Sequence, residues 1–142
     1  MRSLGLAIKK NEIWYSVVEG DSMDDSYIVE TGKQNFIAEA QELMLDFYNI
    51  FLEMITKFKP DSISYKLSLD IKMGQIPYLH YSLGVLNYLC FQQSIPTIER
   101  SSKWITAGKK SKIINFDAIF PNVSFKNEQL AASVIAWYGI GE

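Results

Sequence analysis

Cysteine and histidine are nearly absent from this sequence of 142 residues, with one of each. Cys90 lies in an apolar run, so no disulfide can form within the chain, and we expect a buried structural thiol that suits a reducing cytoplasm. His80 has no neighbouring Cys or second His, which argues against a metal role. Phosphate loops, nucleophile elbows and dinucleotide fingerprints are also missing. We therefore predict no resident metal or other cofactor.

Long hydrophobic runs are missing too. No segment approaches the ~18 apolar residues of a membrane span, and the N-terminal residues do not resemble a signal peptide. The hydrophobic content of 48% over 142 residues is nevertheless enough for a sizeable core. We expect one domain over residues 1–142, located in the cytoplasm and without membrane contact.

The net charge of −2 conceals an uneven distribution of charged side chains. Residues 19–53 contain nine acids and one base, whereas residues 54–112 contain nine bases and three acids. Such asymmetry is found where a protein face binds a polyanion, and also where a charged face is simply solvated. Both interpretations remain open at this point.

Three short apolar segments open the chain and are separated by turn residues. Residues 3–8, 13–18 and 27–31 are rich in β-formers, and they predict three antiparallel strands. Residues 37–58 then change to a helical period, with an apolar side that we expect to pack on the sheet. That side consists of Leu43, Phe47, Ile50, Phe51, Met54 and Phe58.

Residues 63–69 alternate strictly between apolar and polar and predict a fourth strand. Its polar face is unusual for a central strand, so we expect this face to line a groove or meet a partner. Further along we predict a helix over 74–92, an edge strand over 94–99 that contains Pro96, a short helix over 102–107 and a final helix over 127–138.

This order resembles the ribonuclease H-like fold, and its details resemble the RuvC-type Holliday-junction resolvases. Residues 3–7 resemble that family's first strand, with Ala7 where the first metal-binding Asp is expected. Residues 59–66 resemble a segment in which Pro-Asp precedes a strand ending on a catalytic Glu, and Lys66 stands there. Residues 128–136 resemble a helix with two acids, where Glu128 can represent the first and Ala131 replaces the second.

The resemblance implies an α/β fold with a mixed five-stranded sheet, three antiparallel strands followed by two parallel ones, flanked by helices. It also implies a homodimer. Two-metal cleavage of phosphodiesters needs several carboxylates at one point, and neither methyl groups nor an ammonium can replace them. Our first hypothesis is therefore a catalytically inactive domain that binds nucleic acid, such as DNA, or a protein partner.

Two alternatives remain open. In one, the residual acids Asp70, Glu99 and Glu128 rebuild a magnesium-dependent nuclease site at the ends of strands and the start of the last helix. In the other, the protein is a structural adaptor without nucleic-acid contact. For the three acids the ordinary roles are solvent contact at strand ends and interaction of Glu128 with a helix dipole.

Residues 100–112 form a basic stretch without any acid, and this stretch resembles the corresponding lysine-rich segment of the resolvases. Lysines neutralise phosphates and an exposed indole stacks on bases, which makes the segment a candidate nucleic-acid site. The candidate residues are Lys103, Trp104, Lys109, Lys110 and Lys112. Trp104 could equally anchor a short helix to the core, and for Trp14, Tyr15, Tyr65 and Trp137 we predict packing roles.

Overall fold

The computed structural model describes residues 1–9, 11–36, 42–67, 76–101, 119–120 and 127–141. The elements in chain order are β1 (Arg2–Lys9), β2 (Glu12–Gly20), β3 (Ser26–Asn35), α1 (Leu43–Phe58), β4 (Ser62–Leu67), α2 (Ile76–Gln93), β5 (Thr97–Ser101) and α3 (Asn127–Ile140). Across these ranges, no helix combines the length and apolar character needed to cross a membrane.

The five strands form one mixed sheet in the order β3-β2-β1-β4-β5. The first three strands are antiparallel neighbours, and Gly5 of β1 faces Ser16 of β2. Strand β4 joins β1 in parallel, with Leu6 beside Tyr65, and β5 joins β4 in parallel. The predicted fold class, with three antiparallel and two parallel strands flanked by helices, is confirmed, and so is the edge position of the fifth strand.

One face of the sheet carries large apolar side chains and is covered by α1 and α2. Because side chains alternate along a strand, this face receives Leu4, Leu6, Ile13, Val17 and Ile63. All six apolar positions predicted for the buried side of α1 lie in this core. The helix ends where Lys59 adopts a left-handed conformation (φ 48°) ahead of Pro60, and the Lys59 N–H donates to the Ile55 carbonyl oxygen at 2.9 Å.

The opposite face carries small residues and is covered by α3, which packs on β1, β2 and β4. A Cβ added to Gly5 would lie 2.0 Å from the Ala132 carbonyl oxygen, so the helix backbone nearly touches β1. A Cβ added to Gly139 would lie 2.2 Å from the Ser3 hydroxyl. This close approach requires small residues on both sides, and α3 supplies Ala131, Ala132, Ser133 and Ala136.

The polar face of β4 belongs to this second layer. Ser62 and Ser64 are buried under α3, so for these two residues the prediction that the face lines a groove or meets a partner is wrong, while Ser68 of the same predicted face lies outside the described residues. The hydroxyls of Ser3, Ser16 and Ser62 have no hydrogen-bond partner among the described residues. The alternation of β4 thus predicts the strand correctly, while its serines are packing residues of small volume.

Strand β3 is longer than predicted. It continues from Ser26 to Asn35 through Gly32, which the sequence suggested as its end. Gly32 pairs with Tyr15, and an added Cβ would lie 2.7 Å from the Tyr15 hydroxyl oxygen, so the glycine makes room for this ring. The predicted short helix over 102–107 lies outside the described residues.

The predicted packing residues are found in or against the core. Trp137 and Tyr65 are buried, whereas Tyr15 and Trp14 are half-buried against neighbouring clusters. The indole N–H of Trp137 donates to the Met23 carbonyl oxygen at 2.7 Å. Cys90 is buried in α2 as predicted, and burial raises the pKa of its thiol to about 11.

Candidate functional site

The candidate site lies where β1 and β4 run side by side beneath the first turns of α3. Ala7 of β1 is fully buried and packs in one cluster with Ala131 and Ala132 of α3, and the half-buried Trp14 packs against this cluster. Ala7 and Ala131, two of the three positions where the resemblance implies metal-binding or catalytic acids, are therefore in the same place, and both contribute only methyl groups.

Lys66 of β4 reaches the same helix one turn earlier. Its Nζ lies 3.3 Å from Oε2 of Glu128, and the two side chains are 17% and 14% exposed. Glu128 lies in the first turn of α3, three residues before Ala131, where a carboxylate also interacts favourably with the helix dipole. The three segments that resemble the resolvases thus meet at one end of α3. Ala7 and Ala131 contribute methyl groups there, and Lys66 forms an ion pair with Glu128.

A second cation lies beside Lys66. Arg100 of β5 is the register neighbour of Lys66 and is 1% exposed. Its Nε donates to the Ser64 hydroxyl at 3.5 Å, and its guanidinium lies 5.5 Å from the centroid of the Tyr138 ring. The sequence placed Arg100 in the basic stretch that follows the predicted strand 94–99, whereas the structure includes it in β5 and buries it.

The groups that the structure describes at this place do not fit a divalent cation. Ala7 and Ala131 offer no oxygen, the Lys66 ammonium repels a metal ion, and Glu128 is already neutralised by Lys66. Over the described ranges, no group of three His, Cys, Asp or Glu side chains could hold a metal ion.

Glu99, one of the residual acids, is on the other face of the sheet. Its Oε1 accepts a hydrogen bond of 2.5 Å from the Tyr65 hydroxyl, on the side covered by α2. Asn87 of α2 donates to the same hydroxyl at 3.3 Å and accepts from Thr97 at 2.8 Å. Burial and the bond to Glu99 raise the pKa of Tyr65 to about 12. Glu99 is therefore separated by the sheet from Glu128 and Lys66.

Asp70 and the basic segment with Lys103, Trp104, Lys109, Lys110 and Lys112 lie outside the described residues, and their roles stay predictions. His80, for which no metal role was predicted, is exposed on α2. Among the predicted positions the structure thus brings together Ala7, Lys66, Glu128 and Ala131.

Comparison of the sequence with protein families and with curated proteins gives no match. The fold, in contrast, is similar to solved resolvase structures. RuvC of T. thermophilus in complex with a Holliday junction substrate has a TM-score of 0.76 at 13% identity, over 96% of this chain and 90% of that one. The yeast mitochondrial Holliday junction resolvase Ydc2 has a TM-score of 0.67 at 14% identity, over 97% and 78%.

The fowlpox virus Holliday junction resolvase is similar as well, with a TM-score of 0.55 at 10% identity over 98% of this chain and 96% of that one. These similarities extend over nearly the whole chain, and they agree with the strand order and the position of α3 described above. The chain therefore has the ribonuclease H-like fold in its RuvC-type form.

Proposed function

We propose that this protein is a catalytically inactive resolvase-fold protein that binds nucleic acid without cutting it. The observation that carries the proposal is the Lys66–Glu128 ion pair beside the methyl cluster of Ala7 and Ala131. These groups occupy the place where the resemblance to resolvases predicts metal-binding carboxylates. The fold is retained there, while the oxygen ligands that phosphodiester cleavage requires are replaced.

Electrostatics support the loss of chemistry. A metal ion at this place would meet the Lys66 ammonium, with the buried Arg100 on the neighbouring strand. At a separation of ~4 Å, a unit charge near a protein surface interacts with another by about 4 kcal/mol, and the interaction with a divalent ion is larger. The nuclease alternative has little support from Glu99, which faces the other side of the sheet.

Cleavage assays test the proposed loss of nuclease activity directly. Purified protein with magnesium or manganese should leave branched, single-stranded and duplex DNA and RNA–DNA hybrids intact. Metal-dependent cleavage that disappears in Glu128→Gln, Glu99→Gln or Asp70→Asn would instead support a nuclease with relocated carboxylates. Lys57→Gln, at an exposed lysine on α1, is a matched control that should change nothing.

Binding is supported by the sequence of the basic segment and by the fold. The structures of T. thermophilus RuvC and of the fowlpox virus resolvase include Holliday junction complexes. If the lysines of residues 103–112 contact phosphates here, the affinity falls with salt at a log–log slope of roughly −0.7 to −0.9 for each contact. Lys109, Lys110 and Lys112 changed together to Glu should weaken binding to every probe, and Trp104→Ala should weaken single-strand binding most.

Fluorescence anisotropy at low salt with labelled junction, duplex and single-strand probes measures these effects. Lys57→Glu reverses one charge outside the segment and serves as the control. Absence of binding at micromolar protein, or binding that is indifferent to the triple charge reversal, would favour the adaptor alternative with a protein partner. The two assays are independent, so binding without cleavage is the specific outcome that we expect.

A further inference from the structure

A row of five residues crosses the sheet on the face that α3 covers. Lys33 of β3, Trp14 of β2 and Ala7 of β1 are direct register partners. Lys66 lies beside Ala7, one step beyond the last register pair of β1 and β4, and Arg100 of β5 is the partner of Lys66. The row thus combines three cations with an indole and contains no acid. An aromatic ring among cations is typical of protein surfaces that hold unpaired nucleotides.

The β3 end of this row is open to solvent. Lys33 is exposed there, and Trp14 is half-buried. The β5 end is closed, because Arg100 is buried and the ammonium of Lys66 is paired with Glu128. A ligand can therefore reach the indole of Trp14 and the ammonium of Lys33, which lie one and two strands away from β1.

The indole of this row is held in place by its neighbours. It packs against the methyl cluster of Ala7, Ala131 and Ala132. The first turn of α3 is tied to β3, since Gln129 Nε2 donates to the Thr31 hydroxyl at 3.2 Å. An aromatic ring with a fixed orientation loses little conformational freedom when a planar ligand stacks on it, which favours binding.

Lys33 covers the indole and can move away from it. Its Nζ lies 5.5 Å from the centroid of the Trp14 ring. An exposed cation–π contact changes an equilibrium constant by about a factor of 2 to 5. Stacking of a base on an aromatic side chain is worth more, roughly a factor of 5 to 150. A base can therefore displace the ammonium, and the flexible lysine stem then lets the ammonium contact the phosphate of the same nucleotide.

We propose that Trp14 and Lys33 form a subsite for an unpaired nucleobase and its phosphate, with the base on the indole and the phosphate at the ammonium. The inference rests on the proposed function and gives the binding a preference for unpaired strands. In a duplex both faces of a base are stacked on its neighbours, so no face is free for the indole. Glu12 lies on the same face two residues before Trp14, but its register partner Lys9 balances its charge.

Fluorine NMR of wild-type protein labelled with 5-fluorotryptophan observes each tryptophan separately. Of the three tryptophans, Trp137 is 1% exposed and serves as the internal control, whereas Trp104 belongs to the basic segment. Trp14→Phe assigns the signal of Trp14. An oligothymidine of about 12 nucleotides, long enough for a single-strand site, should shift the Trp14 signal and leave that of Trp137 in place.

The NMR outcomes distinguish this subsite from the proposed function. A strand that binds without moving the Trp14 signal would overturn the subsite and leave the proposed function intact. A Trp14 signal that moves with thymidine monophosphate in a protein that binds no strand would support the subsite and contradict the proposed function. Because the labelled protein carries no substitution, this test decides the proposal even where a variant folds poorly.

Fluorescence anisotropy with single-strand and duplex probes measures the contribution of each side chain. Trp14→Leu keeps an apolar side chain against the methyl cluster, and it should weaken single-strand binding at least fivefold while duplex binding changes less than about twofold. Lys33→Gln should weaken single-strand binding and reduce the log–log salt slope by about 0.7. Lys57→Gln is the matched control and should change neither quantity, since Lys57 Nζ also lies over a ring, that of Phe58 at 5.1 Å, but on α1 at the opposite face of the sheet.

Competition with thymidine monophosphate identifies the source of the nucleotide. A strand should compete at a much lower concentration than the mononucleotide, because it also contacts the basic segment. Equal competition would support the subsite and assign it to a free nucleotide. Equal losses of single-strand and duplex binding in Trp14→Leu, or no loss of either, would refute the subsite.

Discussion

The ion pair at the candidate site provides the most direct test of how that site is held together. Lys66 Nζ lies 3.3 Å from Glu128 Oε2, a distance at which the attraction is about 5 kcal/mol at an effective dielectric constant of about 20. Removing these charges from water costs several kcal/mol for each ion, so the pair itself adds little net stability. Removing Lys66 alone is destabilising, because the Glu128 carboxylate then stays partly removed from water and has lost the charge that compensated for it.

For a fully buried pair that loss is about 3–5 kcal/mol. Both side chains here retain some exposure, 17% and 14%, so we expect Lys66→Met to lower the free energy of unfolding by about 2 kcal/mol. Lys66→Glu should cost more, about 3–4 kcal/mol, since repulsion between two carboxylates replaces attraction. Magnesium or manganese should restore part of the stability of Lys66→Glu and none of that of Lys66→Met.

Urea denaturation at neutral pH of the wild type, Lys66→Met, Glu128→Gln and the double variant gives the coupling energy between the two side chains. We expect about 2 kcal/mol of coupling, with the double variant more stable than the sum of the single changes predicts. A coupling below about 0.5 kcal/mol would be that of an ordinary surface pair. In that case the ion pair would not be what fills the site, and the proposal of lost metal binding would lose its main support.

Three further outcomes concern the core. Gly5→Ala should lower the free energy of unfolding by about 3 kcal/mol or more and shift the urea midpoint, because the added Cβ would lie 2.0 Å from the Ala132 carbonyl oxygen. Tyr65→Phe should flatten the loss of stability above about pH 10, since the folded-state pKa of about 12 exceeds the ordinary value of 10.0 and the unfolded chain therefore loses its proton first. The Cys90 thiol, whose pKa is raised to about 11 by burial, should react with an aromatic disulfide reagent only as fast as the protein unfolds.

Much of the fold was predictable because periodicity reports directly which residues a helix or strand buries. The apolar side of α1 and the alternation of β4 follow from it, and the structure confirms both elements. That α3 covers the polar side of β4 was not predictable, since serines that alternate with apolar residues along a strand are expected to face water. The missing information lies in α3, where Ala132, Ala136 and Gly139 leave so little volume that only small side chains fit opposite them.

The candidate site was predictable in outline. The order and spacing of three weakly specific segments were enough to single out Ala7, Lys66 and Ala131. The structure places Ala7 and Ala131 in one cluster and Lys66 beside the adjacent turn of α3. The ion pair with Glu128 was not foreseen, because sequence gives no distance between a strand residue and a helix 62 positions later. Arg100 was counted with the basic stretch because the predicted strand ended at residue 99, whereas β5 continues to Ser101 and buries this side chain.

The packing of α3 on the sheet has a consequence for how the protein is made. Contacts such as that between Trp137 and Met23 join residues 114 positions apart, so one side of the sheet stays uncovered until α3 has left the ribosome. The side covered by α1 and α2 can assemble earlier. Exposed apolar surface makes such partly folded chains prone to aggregate. The face that α3 will cover presents Ser3, Gly5 and Ser16 instead of leucines. It can therefore remain in water during synthesis with less risk of aggregation.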